Sequence, residues 1–190
     1  MGTAWTTPAT AKAATIAAGL RAALPRIETE RLVLRPCRGE DWDALEPIWT
    51  SDRAVHIGGP MTPEEAWLDF AQCVAAWFIQ GTGPLAITVK GDDRPLGLVL
   101  ICAEYGDPTP ELGWLLTAEA EGQGYATEAA RALRDWGFGV LGHGGFQSFI
   151  AEDNAGSIAV AERLGGRPAG THPLAGDCLV YAYDQKEAAQ

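Results

Sequence analysis

The sequence has no long apolar run, no Cys-x-x-Cys pair and few histidines, and each shortage excludes a class of protein. No apolar run approaches the roughly 18 residues of a membrane-spanning helix, so we expect no membrane partner. The scattered cysteines predict reduced side chains in a cytoplasmic protein and no metal site; they are Cys37, Cys73, Cys102 and Cys178. With only three histidines, a Ser-His-Asp set would be hard to assemble.

Positive charge is also scarce, since 14 Lys and Arg face 25 Asp and Glu, for a formal net charge of -11. Such acidity argues against a general nucleic-acid binder and favours neutral or cationic partners. A length of 190 residues with 47% hydrophobic residues suits one domain with its own core. We predict a single domain over residues 26–186, acting as a monomer or homodimer.

The first 25 residues are rich in Ala and Thr, and they lack the ordered basic start and apolar centre of a signal peptide. Ile16, Leu20 and Leu24 could line one face of a short helix that ends before Pro25. We predict a poorly ordered or loosely docked extension over residues 1–25.

Hydrophobic periodicity predicts an alternation of strands and helices in the rest of the chain. The predicted strands are 31–35, 85–90, 95–102, 111–116, 146–151, 167–170 and 178–184. The predicted helices are 41–50, with a break or kink at Pro47, and 63–80, 125–138 and 156–164. Turns rich in Asp and Gly join the second, third and fourth strands as an antiparallel meander. The order predicts a mixed α/β fold with helices on both faces of the sheet.

Two glycines, Gly122 and Gly124, stand where the fourth predicted strand gives way to a helix. The start of a helix has backbone N–H groups without intrahelical partners and a partial positive charge, so phosphates bind there when side chains leave room. The segment is neither a Walker loop nor a three-glycine Rossmann turn. On its own it fits either a phosphate site or a plain strand-to-helix connection.

Four segments in order resemble the GCN5-related N-acetyltransferase (GNAT) family, in particular the branch of the ribosomal-protein N-terminal acetyltransferases. They are Glu28–Arg35, Glu111–Leu116, Gly122–Ala130, and Asn154–Ser157 followed by Ala161–Gly165. The resemblance extends over residues 27–184. It implies a GNAT-like fold with a mostly antiparallel sheet that splays between its fourth and fifth strands, and acetyl-CoA as cosubstrate.

The resemblance also implies which residues hold acetyl-CoA. Its pyrophosphate would bind backbone N–H groups between Gln123 and Thr127, and an N–H near Leu115 or Leu116 would polarise the thioester carbonyl. The implied cofactor-binding set is Leu115, Leu116, Gly122, Gln123, Gly124, Tyr125, Ala126, Thr127, Asn154 and Ser157.

Direct attack by a primary amine in a ternary complex needs a base, a polarised carbonyl and a proton for the departing thiolate. Glu111 is the first candidate for the base and Glu104 the second, each acting through water. Both could instead be solvated carboxylates at strand ends. By resemblance, Ser157 is the candidate proton donor, although it could simply lie in the first turn of a helix capped by Asn154.

The acceptor site is expected between the loop at 51–61 and the turn at 171–176, with Asp52, His56 and His172 as candidate lining residues. A lone loop histidine is more often a surface residue. A protein N-terminus, a lysine, an aminoglycoside-like amine and a small metabolite all satisfy the same chemistry.

Three positions depart from the family pattern and motivate an alternative function; they are Glu121, Ala161 and Gly166. One alternative is a non-catalytic acyl-CoA-binding or regulatory module with the same fold. Another is an unrelated mixed α/β interaction protein in which the two-glycine turn is purely structural.

Overall fold

A computed structural model describes residues 4–107, 109–172 and 178–185. The strands are β1 Ile27–Glu28, β2 Leu32–Pro36, β3 Pro84–Val89, β4 Gly97–Cys102, β5 Glu111–Leu116, β6 Gly145–Ala151, β7 Arg167–Thr171 and β8 Cys178–Asp184. The helices are α1 Ala11–Ala22, α2 Trp42–Leu45, α3 Pro47–Thr50, α4 Pro63–Ile79, α5 Tyr125–Gly139 and α6 Ala155–Arg163. Short 3-10 turns cover Gly39–Asp41, Asp52–Ile57 and Ala118–Ala120.

The strands form one sheet in the order β1-β2-β3-β4-β5-β6-β8-β7. All neighbours are antiparallel except β5 and β6, which are parallel and share a single residue pair, Glu111 with Gln147. The predicted splay between the fourth and fifth strands is confirmed. These strands are β5 and β6 here because the two-residue β1 precedes the first predicted strand.

Helices cover both faces of the sheet, as predicted, because side chains alternate between the faces along each strand. Leu85 and Ile87 of β3 point into the larger core cluster, which also contains Leu133 of α5. Ala86, between them, points into a second cluster with Trp42 and other residues of α2, α3 and α4. The central strand β4 is buried along its whole length because both faces are covered.

Helix boundaries follow local chemistry. Thr62 and Glu65 form a capping box at the start of α4, with Pro63 in its first turn. The predicted break at Pro47 is confirmed, since this residue separates α2 from α3. Among the described residues, no helix is long and apolar enough to cross a membrane.

The N-terminal segment touches the domain through aromatic rings. Trp5 lies edge-on to Trp67, with ring centroids 4.7 Å apart. The following helix α1 is capped by Thr10 and has no buried residues. The segment therefore contacts the domain on both sides of α1, through Trp5 ahead of it and through Leu24 after it, which packs against the larger core cluster.

A buried ion pair fixes the end of β2. Both terminal nitrogens of Arg35 donate to the Asp41 carboxylate, at 2.7 and 2.8 Å, and the two side chains are 3% and 4% exposed. Asp93 accepts a further bond from Arg35 Nε at 2.8 Å. A charge this deeply buried is tolerated only with partners of this kind.

Candidate active site

A cavity of about 1530 Å³ follows the gap between β5 and β6. Its walls come from both strands, the start of α5, the first turns of α6 and the 3-10 turn Asp52–Ile57. The splay thus opens the centre of the sheet to an extended ligand.

Backbone groups of β5 face this gap at alternate positions. Thr117 N–H donates to Leu96 O at 2.9 Å, and in an antiparallel ladder every second residue pairs in the same way. Residues 111, 113 and 115 therefore bond to β4, whereas Leu112, Trp114 and Leu116 turn their N–H and C=O groups to the gap. Of the two expected carbonyl-polarising amides, that of Leu116 faces the gap and that of Leu115 does not.

Side chains join the two strands just beyond their single backbone pair. The buried Ser148 hydroxyl donates to Leu112 O at 2.5 Å and lies 3.1 Å from the Tyr183 hydroxyl. Burial raises the pKa of Tyr183 to about 12. These bonds define the closed end of the gap.

The two-glycine turn lies at the opposite end. Gly122 and Gly124 have φ values of 72° and 79°, in the left-handed region that favours glycine. Gly124 caps α5 without any side-chain hydrogen bond to the first turn, and a Cβ at Gly122 would meet nothing within 4 Å. The turn therefore offers open space in front of helical N–H groups, as an anion site requires.

Arg31 holds this turn against the sheet. Its guanidinium donates to Glu128 at 2.7 Å and to Gln123 O at 3.0 Å, and it lies 4.8 Å from the Tyr125 ring centroid. Gln123 also donates its amide to Glu119 O at 3.3 Å. The side chains of Gln123 and Tyr125 are thus engaged in the turn, whereas Gly122, Gly124, Ala126 and Thr127 line the cavity.

Glu111 lies where β5 and β6 meet, and it lines the cavity. Burial and the nearby Glu104 carboxylate raise the pKa of Glu111 to about 7, although the Phe149 N–H donates to its carboxylate. A carboxylate with this pKa can gain and lose a proton near neutral pH.

Three further carboxylates line the same end of the cavity: Asp69, Glu104 and Asp107. Partial burial and the charges of Asp107 and Asp69 raise the pKa of Glu104, which is itself exposed. Asp69 accepts a 2.8 Å bond from Trp49 Nε1. This end of the cavity is strongly negative.

Helix α6 supplies the opposite wall through Asn154 and Ser157. The Asn154 side chain caps the helix by accepting the Ser157 N–H at 3.1 Å, and both residues line the cavity. Capping and cavity lining are therefore compatible for this pair.

The 3-10 turn Asp52–Ile57 reaches both sides of the opening. Arg53 is ion-paired with Glu121 and donates to Leu116 O at 3.4 Å, on the β5 side. His56 Nδ1 lies 3.4 Å from Asp153 Oδ1, on the α6 side. Arg53 and His56 line the cavity, whereas Asp52 is an exposed residue at the start of the turn.

His172 also lines the cavity, with its ring edge-on to Phe149 at 4.5 Å between centroids. Residues 173–176 of the predicted turn at 171–176 lie outside the described residues. The acceptor-site candidates are thus distributed along the cavity wall.

Packing explains the residues at two of the positions that depart from the family pattern, Ala161 and Gly166. Ala161 is fully buried in the larger core cluster, whereas the adjacent Val160 lines the cavity. A Cβ on Gly166 would come within 2.7 Å of the Tyr183 ring, so Tyr183 takes the space that a side chain at 166 would need. Glycine at 166 follows from this packing.

Comparison with known families assigns the fold. The family model for the acetyltransferase (GNAT) domain matches residues 31–167. Because this match covers more than half of the chain, the protein belongs to the GNAT acetyltransferase family, and the resemblance in the sequence is confirmed.

Individual relatives agree with the family. An acetyltransferase from Agrobacterium tumefaciens str. C58 has a TM-score of 0.82 and 38% identity, over 86% of this chain and 96% of that one. The uncharacterized N-acetyltransferase YnaD of Bacillus subtilis is 28% identical over 76% of this chain and 84% of its own length. Mycobacterium smegmatis RimJ, in complex with CoA-disulfide, has a TM-score of 0.65 and 20% identity, over 88% of this chain and 89% of RimJ. At that identity the likeness to RimJ shows the fold alone.

Sequence reasoning missed several cavity residues, namely Arg31, Arg53, Asp69 and Asp107. Arg53 lies in the loop at 51–61, where the acceptor site is expected, so its location was a usable signal. Asp69 is polar on the otherwise apolar cavity side of α4, which was a weaker signal. The contacts of Arg31 with Glu128, 97 residues away, left no local pattern.

Proposed function

We propose that the protein transfers the acetyl group of acetyl-CoA to a primary amine by direct attack within a ternary complex. One observation supports this most strongly: a continuous cavity connects the two-glycine turn, the unpaired edge of β5 and Glu111. These three features suit a phosphate group, an extended amide-containing arm and an amine, in that order.

The described residues fit acetyl-CoA, which supplies the acetyl group as a reactive thioester. The open space before Gly122 and the uncapped start of α5 suit its pyrophosphate. The outward C=O group of Trp114 and the N–H group of Leu116 suit the amides of its pantetheine arm, as in strand addition. The Trp114 N–H, which lies on the gap side between Leu116 and Glu111, is the candidate for polarising the thioester carbonyl.

Glu111 is the proposed base, and it acts through water. The acceptor amine arrives as an ammonium ion and must lose a proton before it attacks, and a carboxylate with a pKa near 7 can accept that proton at neutral pH. Glu104 is more exposed and serves as the second candidate. Ser157, on the α6 wall, is the proposed proton donor to the departing thiolate.

The acceptor is proposed to be a cationic amine. Asp69, Glu104, Asp107 and Glu111 give the acceptor end a negative potential, which attracts an ammonium group and disfavours anionic acceptors. His56 and His172 contribute to the wall on the other side.

A CoA-release assay over a panel of amines, including peptides with varied N-termini, tests the proposal. We expect release of CoA with at least one amine and a thermal shift with acetyl-CoA; a ligand at 100 times its Kd adds about 2.7 kcal/mol of stability. A thermal shift without CoA release from any amine would favour the non-catalytic binding module. No shift at millimolar acetyl-CoA would refute the proposed cosubstrate.

A further inference from the structure

The two-glycine turn is rich in negative charge and has no cation of its own. Between residues 118 and 128 there are three glutamates, Glu119, Glu121 and Glu128, and no Lys or Arg. An anion cannot bind well beside three uncompensated carboxylates. Positive charge must therefore come from other elements.

An arginine from elsewhere in the chain pairs with each of these glutamates. Arg94 pairs with Glu119 at 2.5 Å, Arg31 pairs with Glu128 at 2.7 Å, and Arg53 pairs with Glu121. The three arginines differ in what else they contact and in which cavity they line.

Arg31 and Arg94 are poor candidates for binding an anion. The Arg31 guanidinium uses Nε, Nη1 and Nη2 on Glu128 and Gln123 O. Arg94 is 61% exposed and does not line the main cavity; it lines only a small pocket of about 250 Å³ beside Glu119, which Arg53 also lines. The first is committed to holding the turn, and the second lies away from the main cavity.

Arg53 differs from both. It lines the main cavity together with Gly122 and Gly124, and its side chain is 32% exposed. Its bonds to Glu121 and to Leu116 O both come from one terminal nitrogen, Nη2. A guanidinium has five N–H donors in a planar fork, so Nε and Nη1 can serve a phosphate while Nη2 keeps its protein partners.

We propose that Arg53 binds the phosphate-bearing part of acetyl-CoA, and that Glu121 positions Arg53 for this contact at the two-glycine turn. This inference rests on the proposed function. It also gives Glu121 a role, because a carboxylate paired with Arg53 anchors a cation where it would otherwise repel phosphate. The 3-10 turn Asp52–Ile57 thereby becomes part of the cosubstrate site as well as a cover over the gap.

The test measures the activity of the wild type and of the Arg53→Gln variant with two acetyl donors. Acetyl-CoA carries the phosphates, whereas S-acetyl-N-acetylcysteamine has the same thioester without them. We expect Arg53→Gln to raise KM for acetyl-CoA about tenfold, the range of a lost charge-assisted hydrogen bond, and to lower kcat/KM much more for acetyl-CoA than for the truncated donor. Arg94→Gln is the matched control, since it removes the same charge from an exposed ion pair beside the same turn but outside the main cavity, and it should change both values much less.

Glu121, the ion-pair partner of Arg53, gives a second readout. Arg53→Gln leaves Glu121 uncompensated, so adding Glu121→Gln should recover part of the lost affinity for acetyl-CoA. A calorimetric titration of the folded proteins with CoA measures this without turnover. Three results would each overturn the role of Arg53. One is an equal loss of kcat/KM with both donors in the Arg53→Gln variant, and another is an unchanged affinity of that variant for acetyl-CoA. The third is an equal effect of Arg94→Gln. If the wild-type protein itself binds no CoA, the proposed function fails too, and the wild-type titration distinguishes that case.

Discussion

At the scale of single residues, Glu111 has the environment expected of a base. Its side chain is half-buried at the point where β5 and β6 meet, the carboxylates of Glu104 and Asp107 act on it, and its pKa is raised to about 7. A carboxyl group with a raised pKa binds a proton in the folded state at pH values where the unfolded chain has already lost it. Glu111 thus stabilises the fold below pH 4.5, its ordinary pKa, and this contribution is lost as the pH rises through 7.

Glu111→Gln is expected to lower kcat by about 100-fold, the low end for loss of a general base. In the wild type, kcat/KM should rise with pH through a pKa of about 7, because the base must be ionised. The variant should lack this limb, keep its affinity for CoA and be more stable than wild type above pH 7. A pH–rate profile with an unaltered acidic limb would exclude Glu111 as the base.

The ion pair of Arg35 and Asp41 is a stability feature rather than a functional one, since neither residue lines the main cavity. Asp41→Ala should lower the free energy of unfolding by about 3–5 kcal/mol, because it leaves the buried guanidinium with less compensation. Urea denaturation measures the change. Arg26→Gln, which breaks the exposed pair with Glu28, is the control and should have little effect. Equal losses in the free energy of unfolding for the two variants would contradict the stabilising role of the Arg35–Asp41 pair.

At the scale of elements, the connection from β5 to α5 combines backbone geometry with electrostatics. Gly124→Asp should raise the Kd for acetyl-CoA at least tenfold, because it adds a carboxylate in front of the helix N-terminus. Gly142 provides a matched control: it has a φ of 68°, lies in an exposed turn after α5, and does not line the cavity. Gly142→Asp should lower the free energy of unfolding by a similar amount but leave the Kd for acetyl-CoA unchanged. If Gly124→Asp also left this Kd unchanged, the phosphate would bind elsewhere.

Elements with a strong local pattern were predictable from the sequence. The capping box at Thr62, the break at Pro47 and the strand at 111–116 are each encoded within a few residues, and the structure agrees with them. The splay was expected only through the family resemblance, because strand pairing depends on residues far apart in the chain. Its physical basis, a single β5–β6 pair backed by Ser148, is a long-range contact.

The site was predictable to a similar degree. The two-glycine turn and Glu111 carry local signals, and both line one cavity. The arginine that neutralises Glu121 comes from a turn 68 residues earlier, so sequence reasoning saw the carboxylate without its partner. Charge balance at a binding site is a tertiary property, and a motif read in isolation does not contain it.

At the scale of the whole molecule, the sheet consists of a five-stranded part, β1 to β5, and a three-stranded part, β6 to β8, joined by one backbone pair. The side chains of both parts share one hydrophobic core cluster, so the gap interrupts only the backbone hydrogen bonding between β5 and β6. A ligand that pairs with β5 along the gap would supply the missing backbone partners. Hydrogen exchange should then be fast at the Trp114 and Leu116 amides in the free protein and slow with acetyl-CoA bound. The β3 amides should stay protected in both states. Acetylation would thus begin with the cosubstrate completing the sheet of its own enzyme.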